Sequence, residues 1–203
     1  MILYGAPMPA PNPRRVRMFL VEKGIDLPET KIDMMKREHK SEEFRAKNSL
    51  GQIPTLELDD GTCISETVAI CRYLEETHPS PPLFGTSAVE RAQVDMWIRR
   101  IEFAVMTPVG QFWRHAHPRT AALLTQYKDF GESNRATYMG AQKWLNRELG
   151  GHDFVVGDSL TMADICLLST VDFADWIGLP VADEFENLVA WRARIKARPS
   201  ADA

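Results

Sequence analysis

The stretch His78-Pro79-Ser80-Pro81-Pro82 constrains this chain more than any other part of it. Four of its five residues break helices or form turns, so no regular element runs through it. It divides 203 residues into two parts with different hydrophobic periods. Short apolar runs alternate with helical patterns before it, and strand signals stop after it. The length suits one large domain or two small ones, and either can bury a core. The pattern predicts a first domain over 1–78, a linker over 79–87 and an all-helical domain over 88–203.

In the first part Met1–Tyr4 reads as a short apolar strand. Asn12-Pro13 reads as a helix start, with asparagine as N-cap and proline at the first helical position. Val16, Phe19 and Leu20 then fall at i, i+3, i+4, one buried stripe, and Gly24 ends the helix. A second strand is expected near Thr30–Asp33 and a short polar helix near Ser41–Lys47. Thr55–Leu58 and Thr62–Ser65 flank Asp59-Asp60-Gly61, a hairpin signal. Glu66–Glu76 reads as a helix with Val68, Ala69, Cys71, Tyr73 and Leu74 inward. The order βαβαββα describes a compact α/β sheet unit.

Beyond the linker, Ala88–His115 carries Val94, Trp97, Ile98, Ile101 and Val105 on a helical pattern that Pro108 should kink. Ala121–Leu149 is another long amphipathic stretch, with a break expected near Gly131. Met162–Trp176 and Phe185–Ala197 complete the helices. Thr161 and Asp164 have the spacing of a reciprocal capping box, and Leu160 and Ile165 that of a hydrophobic staple. That is a folding device and carries no chemical role.

A formal charge of −4, split evenly between the two parts, argues against nucleic-acid binding, which favours a basic face. The apolar runs are too short to span a bilayer, and the first residues lack a signal peptide's charged start and apolar core. Cys63, Cys71 and Cys166 sit at no metal-like or paired spacing. They suit buried thiols in a reducing compartment. A cytoplasmic protein without a metal, a nucleic-acid partner or a membrane is expected.

Three motifs occur in order: EHKSEEFRAKNSLGQIPTLELDDG, then ISETVAICRYLE, then GDSLTMADI. With the α/β unit, the proline-rich linker and the helical region, they resemble the cytosolic glutathione S-transferases. The likeness covers essentially the whole chain, and the first motif is similar to the theta and phi classes. The resemblance implies a thioredoxin-like N-terminal domain and an all-α helical-bundle C-terminal domain. It also implies a homodimer with a cleft between the domains, taking glutathione as co-substrate and a small hydrophobic electrophile. Conjugation, dehalogenation, isomerisation and peroxide reduction would all reuse the same thiolate. A transferase-fold module that binds glutathione or protein without catalysis is the alternative.

Glutathione is an anionic, strand-like tripeptide, and the resemblance assigns residues to each part of it. Ile53-Pro54, as a cis turn, would offer backbone N–H and C=O groups to its cysteinyl peptide. Glu66 would bind the γ-glutamyl ammonium, and Thr67 with helix-start amides its carboxylate. His39, Lys40 and the amide of Gln52 would hold the glycyl carboxylate.

The thiol itself needs a donor. Lowering its pKa by about two units takes roughly 2.7 kcal/mol of thiolate stabilisation. Related proteins place serine or cysteine in the loop after the first strand. Here the loop reads GAPMPAPNPRR, with Pro9 or Ala10 at the matching place and no side-chain donor. The candidates are therefore Asn12, whose amide could donate near the helix start, and His115 in FWRHAHPR, whose imidazole could hold a water against the sulfur. His117 is disfavoured because Pro118 should fray its helix end, and Tyr4 lies too early and reads as core. Backbone amides around Asn12–Arg14, with Arg14 and Arg15, would supply a positive field. Met106, Phe112 and Trp113 could wall the electrophile.

Overall fold

The computed structural model describes residues 1–7 and 9–203. They form two compact units, Met1–Leu83 with Pro199–Ala203, and Phe84–Arg198.

The first unit is a four-stranded sheet with helices. Its strands are β1 (Ile2–Gly5), β2 (Glu29–Lys31), β3 (Thr55–Glu57) and β4 (Cys63–Ser65). The spatial order is β2-β1-β3-β4; β2 runs parallel to β1, and β3 is antiparallel to both β1 and β4. The helices are α1 (Pro11–Lys23), α2 (Glu42–Lys47) and α3 (Thr67–Thr77). This is the βαβαββα order expected from the alternation of periods.

Helix α1 begins earlier than expected. Ala10 is its N-cap and Pro11 its first residue, so Asn12 lies inside the helix and caps nothing. Proline at the first helical position forfeits only an N–H that has no helical partner, which is why Pro11 outcompetes Pro13 as the start. Val16, Phe19 and Leu20 are buried, and Gly24 closes the helix in the left-handed conformation (φ 64°). In α3 the inward residues are Thr67, Ile70, Cys71 and Leu74; Ala69 is exposed, and Val68 and Tyr73 are half-buried.

The linker is pinned. The buried Lys23 ammonium donates to the carbonyls of His78 (2.8 Å) and Pro81 (2.5 Å) and pairs with Glu75 (2.5 Å). The last residues also belong to this unit: Arg14 donates to the carbonyl of Ala201 (2.7 Å), and Ser200 to Glu22 (2.5 Å).

The second unit is helical: α4 (Ala88–Arg100), α5 (Thr107–His115), α6 (Lys128–Glu148), α7 (Met162–Trp176) and α8 (Glu186–Lys196). A π-helical turn, Ile101–Met106, joins α4 to α5 immediately before Pro108. Pro108 has no N–H for the carbonyl four residues back, and its ring crowds that carbonyl. The helix meets both demands by widening, and Thr107 Oγ1 donates to the carbonyl of Glu102 at 2.9 Å.

Helix α6 starts at Lys128 and passes unbroken through Gly131. A Cβ at Gly131 would come within 2.6 Å of the Ala116 backbone nitrogen, so the glycine permits close packing of α6 on the end of α5. The Thr161/Asp164 box caps α7, and Leu160 and Ile165 are buried beside it. Asp164 does more than cap. Fully buried, it accepts from Val155 N (2.9 Å), Thr161 N (3.0 Å), Thr161 Oγ1 (3.1 Å) and Trp191 Nε1 (2.9 Å). Burial pushes its carboxyl upward against the pull of those donors.

Candidate functional site

The sequence before β3 makes a tight turn whose carbonyls are held by side chains. Gly51 has φ 56°, and a Cβ there would meet the His39 carbonyl at 2.5 Å, so only glycine fits on both grounds. Lys40 Nζ donates to the carbonyls of Leu50 (3.0 Å) and Gly51 (2.6 Å). The carbonyl of Gln52 accepts from Asn48 Nδ2 (2.8 Å) and Thr55 Oγ1 (3.3 Å). Ile53–Pro54 is cis. The backbone N–H and C=O of Ile53 have no partner among the described residues.

Glu66 sits at the N-cap of α3 with φ 69° and ψ 121°, an uncommon conformation for a side-chain-bearing residue that costs on the order of 1–3 kcal/mol. It is exposed and has no ion-pair partner among the described residues. Thr67, the first helical residue, is buried, and its hydroxyl has no partner among them. An acid, a hydroxyl and a helix N-terminus thus adjoin in sequence, with no internal use for any of them.

His39 lies in a short 3-10 turn, Glu38–Lys40, before α2. Its Nδ1 is buried without a partner among the described residues. Burial first, then the charges of Lys40 and Arg37, hold the imidazole below its ordinary pKa, so its neutral form is favoured. Ser41 caps α2 by accepting from Phe44 N (3.1 Å).

The start of α1 is poor in donors. Pro11 and Pro13 have no N–H, so among the first three helical residues only Asn12 has one. The expectation of several amides around Asn12–Arg14 narrows to that residue. Arg14 and Arg15 are buried in α1, and Arg14 spends a guanidinium N–H on the Ala201 carbonyl. Met8, in the loop before Asn12, lies outside the described residues.

Tyr4 is committed elsewhere. Its hydroxyl donates to Glu57 Oε2 (2.6 Å), which also pairs with Lys47 Nζ (2.7 Å). The hydrogen bond to Glu57, with burial, raises the Tyr4 pKa, the wrong direction for a group that must donate to a thiolate. The thiol of Cys63 is likewise pushed up by burial and by Glu57.

In the helical unit His115 Nδ1 accepts from Tyr127 N (3.4 Å), which places the proton of the neutral ring on Nε2. Its ring packs against Tyr127 and Phe130 at centroid distances of 5.6 and 5.4 Å. His117 belongs to a different cluster, tilted on Trp113 (4.7 Å) and stacked near Trp176 (6.5 Å). Phe112 is buried, while Met106 and Trp113 are half-buried. Among the described residues no group of three or more His, Cys, Asp or Glu side chains could hold a metal ion.

Periodicity and composition single out none of the groups that brace the turn. Asn48, Thr55 and the Lys40 contacts to carbonyls become visible only in three dimensions. The one available signal for Asn48 is local, an asparagine two residues before Leu50, whose N–H it accepts at 3.2 Å in an Asx turn.

Two family models match this chain: the glutathione S-transferase N-terminal domain over residues 10–77 and the glutathione S-transferase C-terminal domain over residues 122–199. The chain is 37% identical to glutathione S-transferase 2 of Saccharomyces cerevisiae over 98% of its own length and 87% of the yeast protein. It belongs to the glutathione S-transferase family.

Solved structures agree with that membership. Gtt2 from Saccharomyces cerevisiae superposes with a TM-score of 0.92 at 36% identity, covering 100% of this chain and 99% of that one. A glutathione S-transferase domain-containing protein of Marinobacter aquaeolei gives 0.91 at 37%, covering 98% and 99%. The human theta-2 transferase is 29% identical over 91% of this chain and 76% of its own. Membership makes the first unit thioredoxin-like and the second the helical domain of a transferase.

Proposed function

We propose that this glutathione S-transferase binds glutathione in its first unit, along Gln52-Ile53-Pro54, and directs the thiolate at a small hydrophobic electrophile. The observation that carries the binding mode is the open N–H and C=O of Ile53. They form an edge on which the cysteinyl peptide can lie as one more strand. Glu66, Thr67 and the start of α3 serve the γ-glutamyl end. A carboxylate meets the ammonium, and a hydroxyl with unpaired amides meets the carboxylate. His39, Lys40 and the Gln52 amide serve the glycyl carboxylate. Lys40 spends two of its three N–H donors on carbonyls and keeps one.

Asn12 is the proposed thiolate donor, through its backbone N–H at the helix start and its side-chain amide. The flanking prolines concentrate that role on one residue. His115 is the second proposed catalytic residue, holding a water through Nε2, the ring nitrogen not used by Tyr127.

Calorimetry with glutathione, followed by conjugation to a chlorinated aromatic, tests the reading. Uptake is expected in the usual KM range of roughly 1 μM–1 mM. No uptake at millimolar glutathione overturns it, and uptake without turnover favours the non-catalytic alternative. The proposed assembly is a homodimer in the cytoplasm. The three free thiols suit a reducing compartment.

A further inference from the structure

We propose that Asn48 is a positioning residue that aims the Ile53 N–H at glutathione; this rests on the binding mode above and adds the residue that sets it. Asn48 is buried at 7% exposure, and its side chain is devoted to the turn. Nδ2 donates to the Gln52 carbonyl (2.8 Å) and to Thr55 Oγ1 (3.3 Å), and Oδ1 accepts from Leu50 N (3.2 Å). Its backbone ties the turn to α2: Asn48 N donates to Phe44 O (2.9 Å), and Gly51 N donates to Asn48 O (2.7 Å).

The consequence follows from peptide planarity. The Gln52–Ile53 bond is not among the cis bonds, so the Gln52 C=O and the Ile53 N–H point in opposite directions from one rigid plane. Asn48 and Thr55 draw that carbonyl inward. The Ile53 N–H must then face away from them, unpaired, and rotating the plane would break two hydrogen bonds to a buried side chain and its neighbour. Lys40 fixes the two preceding carbonyls from the exposed side, so three consecutive peptide planes are set before the ligand arrives.

The test uses the full chain and the variants Asn48→Asp and Thr55→Val. Asn48→Asp keeps the shape and the acceptor for Leu50 while losing the donor to Gln52. Its glutathione KM should rise about tenfold, with kcat at saturating glutathione within about twofold of the parent, because a donor to the turn is lost and the thiolate donor is not. Thr55→Val removes the second donor to Gln52 and should raise KM about threefold, which keeps the proposal testable should Asn48→Asp fold poorly. Glutathione should slow amide exchange at Ile53 in the parent and much less in Asn48→Asp. A purely structural role would lower the thermal midpoint and leave KM and the exchange response unchanged, and that result overturns the proposal alone. A parent protein that binds no glutathione overturns the binding mode as well.

Discussion

Glu66 and Tyr4 show how backbone conformation and hydrogen bonding sort two polar residues into different roles. Glu66 is held at φ 69° with its carboxylate in solvent, an arrangement with no internal return. Glu66→Ala should raise the glutathione KM about 10–100-fold, as expected for a charged hydrogen bond worth about 1.5–3 kcal/mol, with an unchanged thermal midpoint. Steady-state kinetics and a melting curve decide it. The Tyr4 hydroxyl already donates its hydrogen bond to Glu57. Tyr4→Phe should therefore leave kcat within about twofold and lower stability by about 1 kcal/mol. A collapse of kcat would return Tyr4 to the chemistry.

The histidines add a pH dependence at the same scale. Burial first, then neighbouring cations, lower the pKa of both His39 and His117 below the ordinary 6.5. Well above 6.5 both are neutral, folded or unfolded. As pH falls the unfolded chain takes up these protons first, so their stability contribution is present above 6.5 and lost as pH drops through the folded values. The urea midpoint should fall from pH 7.5 towards pH 5, and less steeply in His117→Gln.

At the scale of elements, two contacts decide whether helices seat correctly. Asp164 joins the start of α7 to α8 through Trp191 and to the preceding loop through Val155. Asp164→Ala leaves buried donors without partners and should cost about 3 kcal/mol or more, measured by chemical denaturation. Gly131 allows α6 to approach backbone rather than side-chain tips. Backbone cannot step aside, so Gly131→Ala should destabilise by about 1–3 kcal/mol. A neutral result would mean that α6 can slide along the end of α5.

Across the whole molecule the last five residues return to the first unit. Ala201 receives the Arg14 guanidinium, and Ser200 donates to Glu22. Deleting Pro199–Ala203 leaves the buried Arg14 of α1, two residues after Asn12, short of an acceptor. The deletion should lower stability by about 2 kcal/mol or more, measured in urea. Unchanged stability would mean that the tail merely rests on α1.

What the sequence determined by itself was the order of elements. Period and punctuation are local properties, so βαβαββα, the stripe of Val16, Phe19 and Leu20, and the α7 capping box were all readable from neighbours a few positions apart. Two local signals competed at Pro11 and Pro13, and a helix start two residues early was the result. Only the tertiary structure decided the rest. Gly131 looks like a break until α5 is seen pressed against it, and Tyr4 reads as plain core until its hydroxyl is seen donating to Glu57, 53 positions away. Asn48 is one polar residue among several until burial turns its amide inward onto Gln52. Each depends on which distant group fills a side chain's hydrogen bonds or its space, and chain closure sets that partner while local spacing does not.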